Sequence, residues 1–265
     1  MKRELAAAAR DLAGYIKTLD ENLAELPRQE AAAPLKAAPV GTLPAAAEPL
    51  PVPYSAPGLD SPDMDFLSEK VKNCRKCPLG FARLNAVFGV GSYKAKVVFV
   101  GEGPGFQEDH QGEPFVGRSG QLLDKILETV LGLKRSDVYI ANIVKCHPMK
   151  NPETPEAHGN DRPPTPEEIS ACRPYLDEQL RQIKPACIVT LGSVATKVLL
   201  GIDNGISTMR GHWYDYPVEL FGPGHPIKVL PTYHPAALLR NPNLKRDTWE
   251  DMKMLKSFLE TGKIN

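Results

Sequence analysis

The sequence has no excess charge of either sign: its 265 residues hold 32 Lys and Arg against 32 Asp and Glu. That balance excludes a strongly basic coat for nucleic acid and leaves room only for a local basic strip. Residues 1–63 are the acidic part, so the remainder has an excess of about +3. Long hydrophobic runs are missing too. No stretch approaches the roughly 20 apolar residues that cross a bilayer. After Met1-Lys2-Arg3, acidic residues follow where an apolar signal core would stand, so a cytoplasmic protein without membrane contact is expected. Cysteine is scarce, five residues in all. An odd number in a reducing compartment argues against a disulfide framework and makes metal binding the better reading of any organised set.

Proline, by contrast, is abundant and unevenly spread, and it helps divide the chain into three zones. In residues 1–26, Leu5, Ala9, Leu12, Ile16, Leu19, Leu23 and Leu26 recur at spacings of four and three. This is the seam of an amphipathic helix, suited to docking on its own domain, to self-association or to a partner. Residues 27–63 are rich in Ala and Pro and nearly aperiodic, a semi-extended linker unable to form a core and expected to be disordered. From residue 64 onward the pattern is that of an α/β domain. Strands are expected over Lys96–Gly101, Val138–Val144, Cys187–Leu191 and Lys228–Thr232. Helices are expected over Gly120–Leu131, from the capping box Thr165-Pro166-Glu167-Glu168 to Ile183, over Ser193–Leu200 and over Lys245–Leu259. The alternation predicts three layers, α/β/α, around a mainly parallel four-stranded sheet, with the active site at the carboxyl ends of the strands.

The loop Gly101-Glu102-Gly103-Pro104-Gly105 follows the first of these strands directly. Its alternating glycines let backbone approach a ligand closely. A nucleotide-binding loop fits poorly, because no Gly-Lys-Ser/Thr follows and Pro104 interrupts the dinucleotide pattern. The long turn-rich segment through Glu108-Asp109 and Pro114-Phe115-Val116-Gly117 has the character of a functional loop.

Four of the cysteines stand in turn-prone contexts: Cys74-x2-Cys77 before Pro78, Cys146 before His147-Pro148, and Cys172 before Arg173-Pro174. Two ligands from one tight turn can chelate a metal, and the other two lie far along the chain, so this is no local zinc ribbon. Four thiolates suit zinc and a [4Fe–4S] cluster alike. Cys187, inside an apolar strand, reads as an inert core thiol.

The segment GEGPGFQEDHQGEPFVGRSGQLL resembles the first motif of the family 4 uracil-DNA glycosylases: a glycine-rich loop, an acidic pair, then PFVG and a helix. Asn142, opening Asn142-Ile143-Val144-Lys145-Cys146, is similar to that family's base-reading strand end, and Tyr233-His234-Pro235-Ala236-Ala237-Leu238-Leu239-Arg240 resembles its second motif. The match runs in order over roughly residues 68–260.

The resemblance implies a base-excision enzyme that hydrolyses the glycosidic bond of uracil in single- or double-stranded DNA, with a [4Fe–4S] cluster on Cys74, Cys77, Cys146 and Cys172. An insertion, about Asn151–Arg162, makes the interval between the last two ligands longer than is usual in the family; the loop absorbs it at little entropic cost. Glu102, Asn142 and His234 are the expected catalytic residues. Glu102 would place water, Asn142 read the uracil edge and His234 stabilise the departing base. Gly103, Glu108 and Phe115 are expected against the base, Phe115 by stacking. Leu238 is the candidate wedge into the vacated stack, and Arg240 and Lys245 the candidate phosphate contacts. Residues 1–26 are expected to tether a replication or repair partner. The alternatives are a non-catalytic DNA-binding or polymerase-associated module on the same fold, and a glycosylase for other deaminated bases such as hypoxanthine. A covalent variant needs a basic, His-bearing loop, whereas the insertion around His158 is mostly acidic and proline-rich.

Overall fold

The structure, a computed structural model, describes residues 63–217 and 227–264. The expected helix over 1–26 and all but the last residue of the expected linker lie outside these residues. In chain order the elements are α1 (Met64–Lys72), α2 (Leu79–Ala82), β1 (Val90–Gly91), β2 (Val97–Gly101), α3 (Phe106–Gln111), α4 (Arg118–Ile126), β3 (Tyr139–Asn142), α5 (Pro166–Ile183), β4 (Cys187–Leu191), α6 (Ser193–Leu200), α7 (Ile206–Met209), β5 (Tyr214–Asp215), β6 (Lys228–Thr232), α8 (Pro235–Arg240) and α9 (Lys245–Thr261).

The sheet order is β1-β3-β2-β4-β6-β5. The four expected strands form its parallel centre, with Gly101 paired to Asn142 and Leu191 to Thr232. Antiparallel pairs β1–β3 and β5–β6 flank this centre, so among the described residues the sheet has six strands rather than four. Edge strands of two residues carry no periodicity for a sequence to reveal. Pro231 is tolerated in β6 because β5 pairs only with Lys228 and Val229; at Pro231 that side of the strand has no ladder bond to lose.

Side-chain alternation sends Val98, Val100, Tyr139, Ala141, Ile188 and Val229 to one face, under α1, α5 and α6. Val97, Phe99, Ile140, Val189 and Leu230 face the other way, under α4, α8 and α9. Both faces being covered, the central strands are buried throughout and read as continuous apolar runs. Cys187 packs in the second cluster, and burial pushes its thiol up to about 12, as suits an inert core residue. The chain passes from β2 outward to β3, then returns past β2 to β4. The crevice where a ligand is expected therefore opens between the carboxyl ends of β2 and β4.

Local signals explain the helix ends. Thr165 Oγ1 accepts from the Glu168 amide at 3.3 Å, and the Glu168 carboxylate accepts from the Thr165 amide at 2.8 Å. Arg162 forks onto the same carboxylate at 2.8 and 2.7 Å. The expected helix over Gly120–Leu131 is α4 followed by a π turn over Leu127–Leu131, stopped at left-handed Gly132. Replacing Thr165 with Ala leaves the Glu168 amide without its cap; we predict a loss of about 1 kcal/mol in urea unfolding.

Candidate active site

Asn142 ends β3 opposite Gly101, and its side chain is 2% exposed. Its Oδ1 is buried with no hydrogen-bond partner among the described residues. Orphan acceptors of this kind are rare and are a place to look for a ligand. A Cβ on Gly101 would stand 2.5 Å from that Oδ1 and 2.6 Å from Cζ of Phe115, so only glycine lets amide and ring lie against the strand. Phe115 is buried and holds a left-handed backbone, φ 55°. For a non-glycine residue this costs about 1–3 kcal/mol, strain that concentrates at functional sites. Its ring centre lies 5.5 Å from that of His234, with the planes inclined by 30°.

His234 caps α8. Its Nδ1 accepts from the Ala236 amide at 3.1 Å. A backbone N–H can only donate, so the ring proton belongs on Nε2. Burial, with the positive charge of Arg240 in second place, holds the imidazole down to about 4, so the ring is neutral at ordinary pH. The end of β4 makes room for it: Gly192 has φ 90°, and a Cβ there would meet His234 Cβ at 2.9 Å. The strand end beneath is braced by Asp251, whose carboxylate accepts from Thr232 Oγ1 at 2.6 Å and from Arg210 Nε at 3.0 Å.

The Glu102 carboxyl makes no hydrogen bond or ion pair with any described residue, and burial raises its pKa above the ordinary value. Gly103 packs beside Val144, whose Cγ2 a Cβ would meet at 2.8 Å. Glu108 turns inward to accept from the amides of Gly105, Val116 and Gly117 at 3.2, 3.0 and 3.1 Å. Its carboxylate thus ties the two ends of the loop around Phe115. The neighbouring Asp109 is fully buried and accepts from the Leu84 and Asn85 amides, each at 3.1 Å.

Two expectations are corrected. Leu238 does not project toward DNA as a wedge; it is fully buried in the second core cluster. The segment is the helix α8, not a loop, and one face of so short a helix must be buried against the sheet. Lys245 is 1% exposed at the start of α9 and is not presented to a phosphate. Arg240 remains exposed at the end of α8.

Cys74, Cys77, Cys146 and Cys172 line one recess together with Arg83 and Tyr175. Burial pushes the Cys146 thiol up to about 11 and that of Cys172 up to about 12; neither ionises unless a cation takes the place of its proton. Arg83 Nη1 donates to Cys146 Sγ at 2.8 Å, while its Nη2 caps the end of α1 at the Val71 carbonyl, 3.1 Å away. The Lys145 amide donates to Cys172 Sγ at 3.2 Å. Among the described residues no three His, Cys, Asp or Glu side chains form a group suited to a single ion; the four thiols border a shared space.

The insertion over 151–162 folds back onto the loop after β2. Asp161 accepts from or pairs with His147 Nε2 at 2.7 Å, Glu156 meets His110 Nε2 at 2.7 Å, and the His158 ring lies 4.1 Å from that of Phe106. His147 Nδ1 faces Asp109 at 3.5 Å. Burial alone would lower the His147 pKa, but the two carboxylates outweigh it and carry it up to about 9. Asp109, His147, Arg83 and Asp251 are supports that a reading of motifs passed over; only the acidic pair Glu108-Asp109 marked the first of them.

The sequence pattern of the Uracil DNA glycosylase superfamily matches residues 88–253. A type-4 uracil-DNA glycosylase of Saccharolobus solfataricus is 40% identical over 206 residues, 76% of this chain and 89% of that protein. One from Thermotoga maritima is 43% identical over 204 residues, 74% of this chain and 95% of that protein. This chain belongs to the type-4 uracil-DNA glycosylases. A relative from Archaeoglobus fulgidus, 41% identical over 200 residues, covers 72% of the chain and 91% of itself. The matched family region spans every strand end described above, from β2 to β6. Because Gly101 abuts both Asn142 and Phe115 in this glycosylase fold, Gly101→Ala overpacks the pocket; we predict a loss of about 1–3 kcal/mol in urea unfolding.

Proposed function

We propose that the chain hydrolyses the N-glycosidic bond of uracil in DNA and leaves an abasic site. The observation that carries this reading is the buried, unpaired Oδ1 of Asn142 beside Phe115 and His234. A base inside a duplex cannot reach such a recess, so the nucleotide must turn out of the stack. Phe115 then offers its face to the base. Asn142 Oδ1 accepts from uracil N3–H while Nδ2 donates to O4. Cytosine presents a donor in place of O4 and no hydrogen on N3, so both contacts fail.

Bond cleavage puts positive charge on the sugar and negative charge on uracil. Neutral His234 donates through Nε2–H to uracil O2, a bond that strengthens as charge collects there. Being uncharged at ordinary pH, the ring has no second proton to give the base and acts by hydrogen bonding. Glu102, unpaired and raised in pKa, orients the attacking water and balances the sugar's charge. Glu108 holds the loop, and Arg240, exposed at the end of α8, contacts a phosphate in this reading. A binding module with no catalytic task would need neither the orphan amide nor the fixed imidazole. The finer reading of residues 1–26 as a tether to a replication or repair partner rests on their leucine seam alone.

The four cysteines fit a [4Fe–4S] cluster better than zinc. Four thiolates suit either, but these border a recess instead of converging on one point, and Arg83 and the Lys145 amide supply hydrogen bonds to sulfur. Bound there, the cluster would serve as a structural pin joining α1, the segment after β3 and α5. We predict that Cys74→Ala lowers iron content and melting temperature together; stoichiometric zinc without iron in anaerobically purified protein contradicts the assignment.

A uracil-containing labelled oligonucleotide treated with the protein and then with alkali should break at uracil; intact strands across a range of salt overturn the proposal. His234→Ala should cost about 10²–10³ in kcat with fold and iron retained. Glu102 acts as the carboxylate, and its raised pKa moves the acid limb of kcat above the ordinary carboxylate range. Activity falls as pH drops through that limb. Glu102→Gln should abolish the limb and leave a slow, pH-independent rate; an unshifted limb in the variant assigns it to another group.

A further inference from the structure

Lys145 is 1% exposed, and among the described residues none of its hydrogen-bond partners is a carboxylate. Its Nζ donates to the Asn142 carbonyl at 2.9 Å and to Gln179 Oε1 at 2.7 Å. Its backbone amide donates to Cys172 Sγ, and its carbonyl accepts from the Val87 amide at 2.8 Å. Gln179 in turn donates to the Phe88 carbonyl and to the Tyr139 hydroxyl, each at 2.9 Å. Cys172 and Gln179 are two turns apart on one face of α5, so a single helix face grips both ends of Lys145.

The position of the Asn142 carbonyl makes this grip consequential. The amides of Ile143 and Val144 still pair with Gly101 and Glu102. The Asn142 carbonyl, at the end of β3, takes its donor from a side chain. Burying an ammonium costs far more than burying a methionine of similar length; its amide and carbonyl partners offset part of that cost, and the Cys172 and Cys146 sulfurs of the recess that Lys145 lines favour its charge as well. A lysine kept in such a place is doing something an apolar residue would not.

We propose that Lys145 is a positioning residue for the base-reading amide: it clamps the Asn142 peptide to the cysteine-bearing helix α5 and so fixes the direction in which the Asn142 side chain meets uracil. The proposal rests on the base-reading role given to Asn142 above. It also gives the cysteine site a path to the pocket, through Cys172, Lys145 and Asn142, that involves no chemistry at the metal.

The test is Lys145→Met in the full chain, read by free-uracil inhibition, kcat, affinity for abasic-site DNA and iron per chain. Free uracil should bind about tenfold more weakly, the factor that loss of one hydrogen bond to a charged group corresponds to. The value of kcat should fall by at least as much, while iron content and abasic-DNA affinity stay as in the wild type. Unchanged uracil affinity, or a loss that only tracks lost iron, overturns the proposal. Should Lys145→Met fail to fold, Gln179→Met removes one anchor of the clamp and must show the same selective loss of uracil affinity in smaller measure; its absence overturns the proposal equally. A wild-type protein that releases no uracil defeats the glycosylase reading, whereas an active wild type with an unaffected clamp variant defeats only this one.

Discussion

The hydrogen bond from the Ala236 amide to Nδ1 of His234, 3.1 Å long, sets what the strand ends can do chemically. A backbone donor leaves the imidazole one choice, the proton on Nε2, and burial keeps the ring from taking a second proton. The result is a neutral donor aimed from a helix N-cap, a group that stabilises developing charge without having to transfer a proton. Everything around it preserves that state. Gly192 admits the Cβ, Phe115 covers the ring, and the Thr232–Asp251–Arg210 set fixes the strand from which it departs.

Parallel pairing does the rest of the assembly. Residues 101, 142, 192 and 234 are widely separated in sequence, yet the register aligns Gly101 with Asn142 and Leu191 with Thr232. Side chains just beyond those pairs therefore arrive at one edge of the sheet without any loop having to reach far. Glycine at 101 and 192 is the complement of this convergence, since each yields its side-chain space to a functional neighbour. Glu108 and Asp109 show the same economy in the loop after β2: adjacent carboxylates are both spent on backbone amides, Glu108 closing the loop around Phe115 and Asp109 fastening it to Leu84 and Asn85.

Much of this was legible in the sequence where a local rule decides the outcome. The four parallel strands were marked by apolar runs, α5 by its capping box, α6 by the glycine after it, and the thiol set by its turn-rich settings. Long-range packing was not legible. Leu238 and Arg240 are two residues apart in one motif, and only the docking of α8 on the sheet shows that the first is core and the second is surface. Lys245 has the composition of a phosphate contact and the position of a buried side chain. The grip of α5 on Lys145 joins residues 34 apart in sequence, and nothing in either segment announces it. The edge strands are simply too short for a pattern.

The neutral imidazole is the claim on which the catalytic account turns, and nitrogen NMR of His234 tests it most directly. With the ring labelled, spectra between about pH 5 and pH 8, with and without free uracil, should show Nε2 protonated and Nδ1 unprotonated throughout. Uracil should shift the Nε2 signal and leave Nδ1 nearly still. A doubly protonated ring at neutral pH, or a proton on Nδ1, would contradict the account.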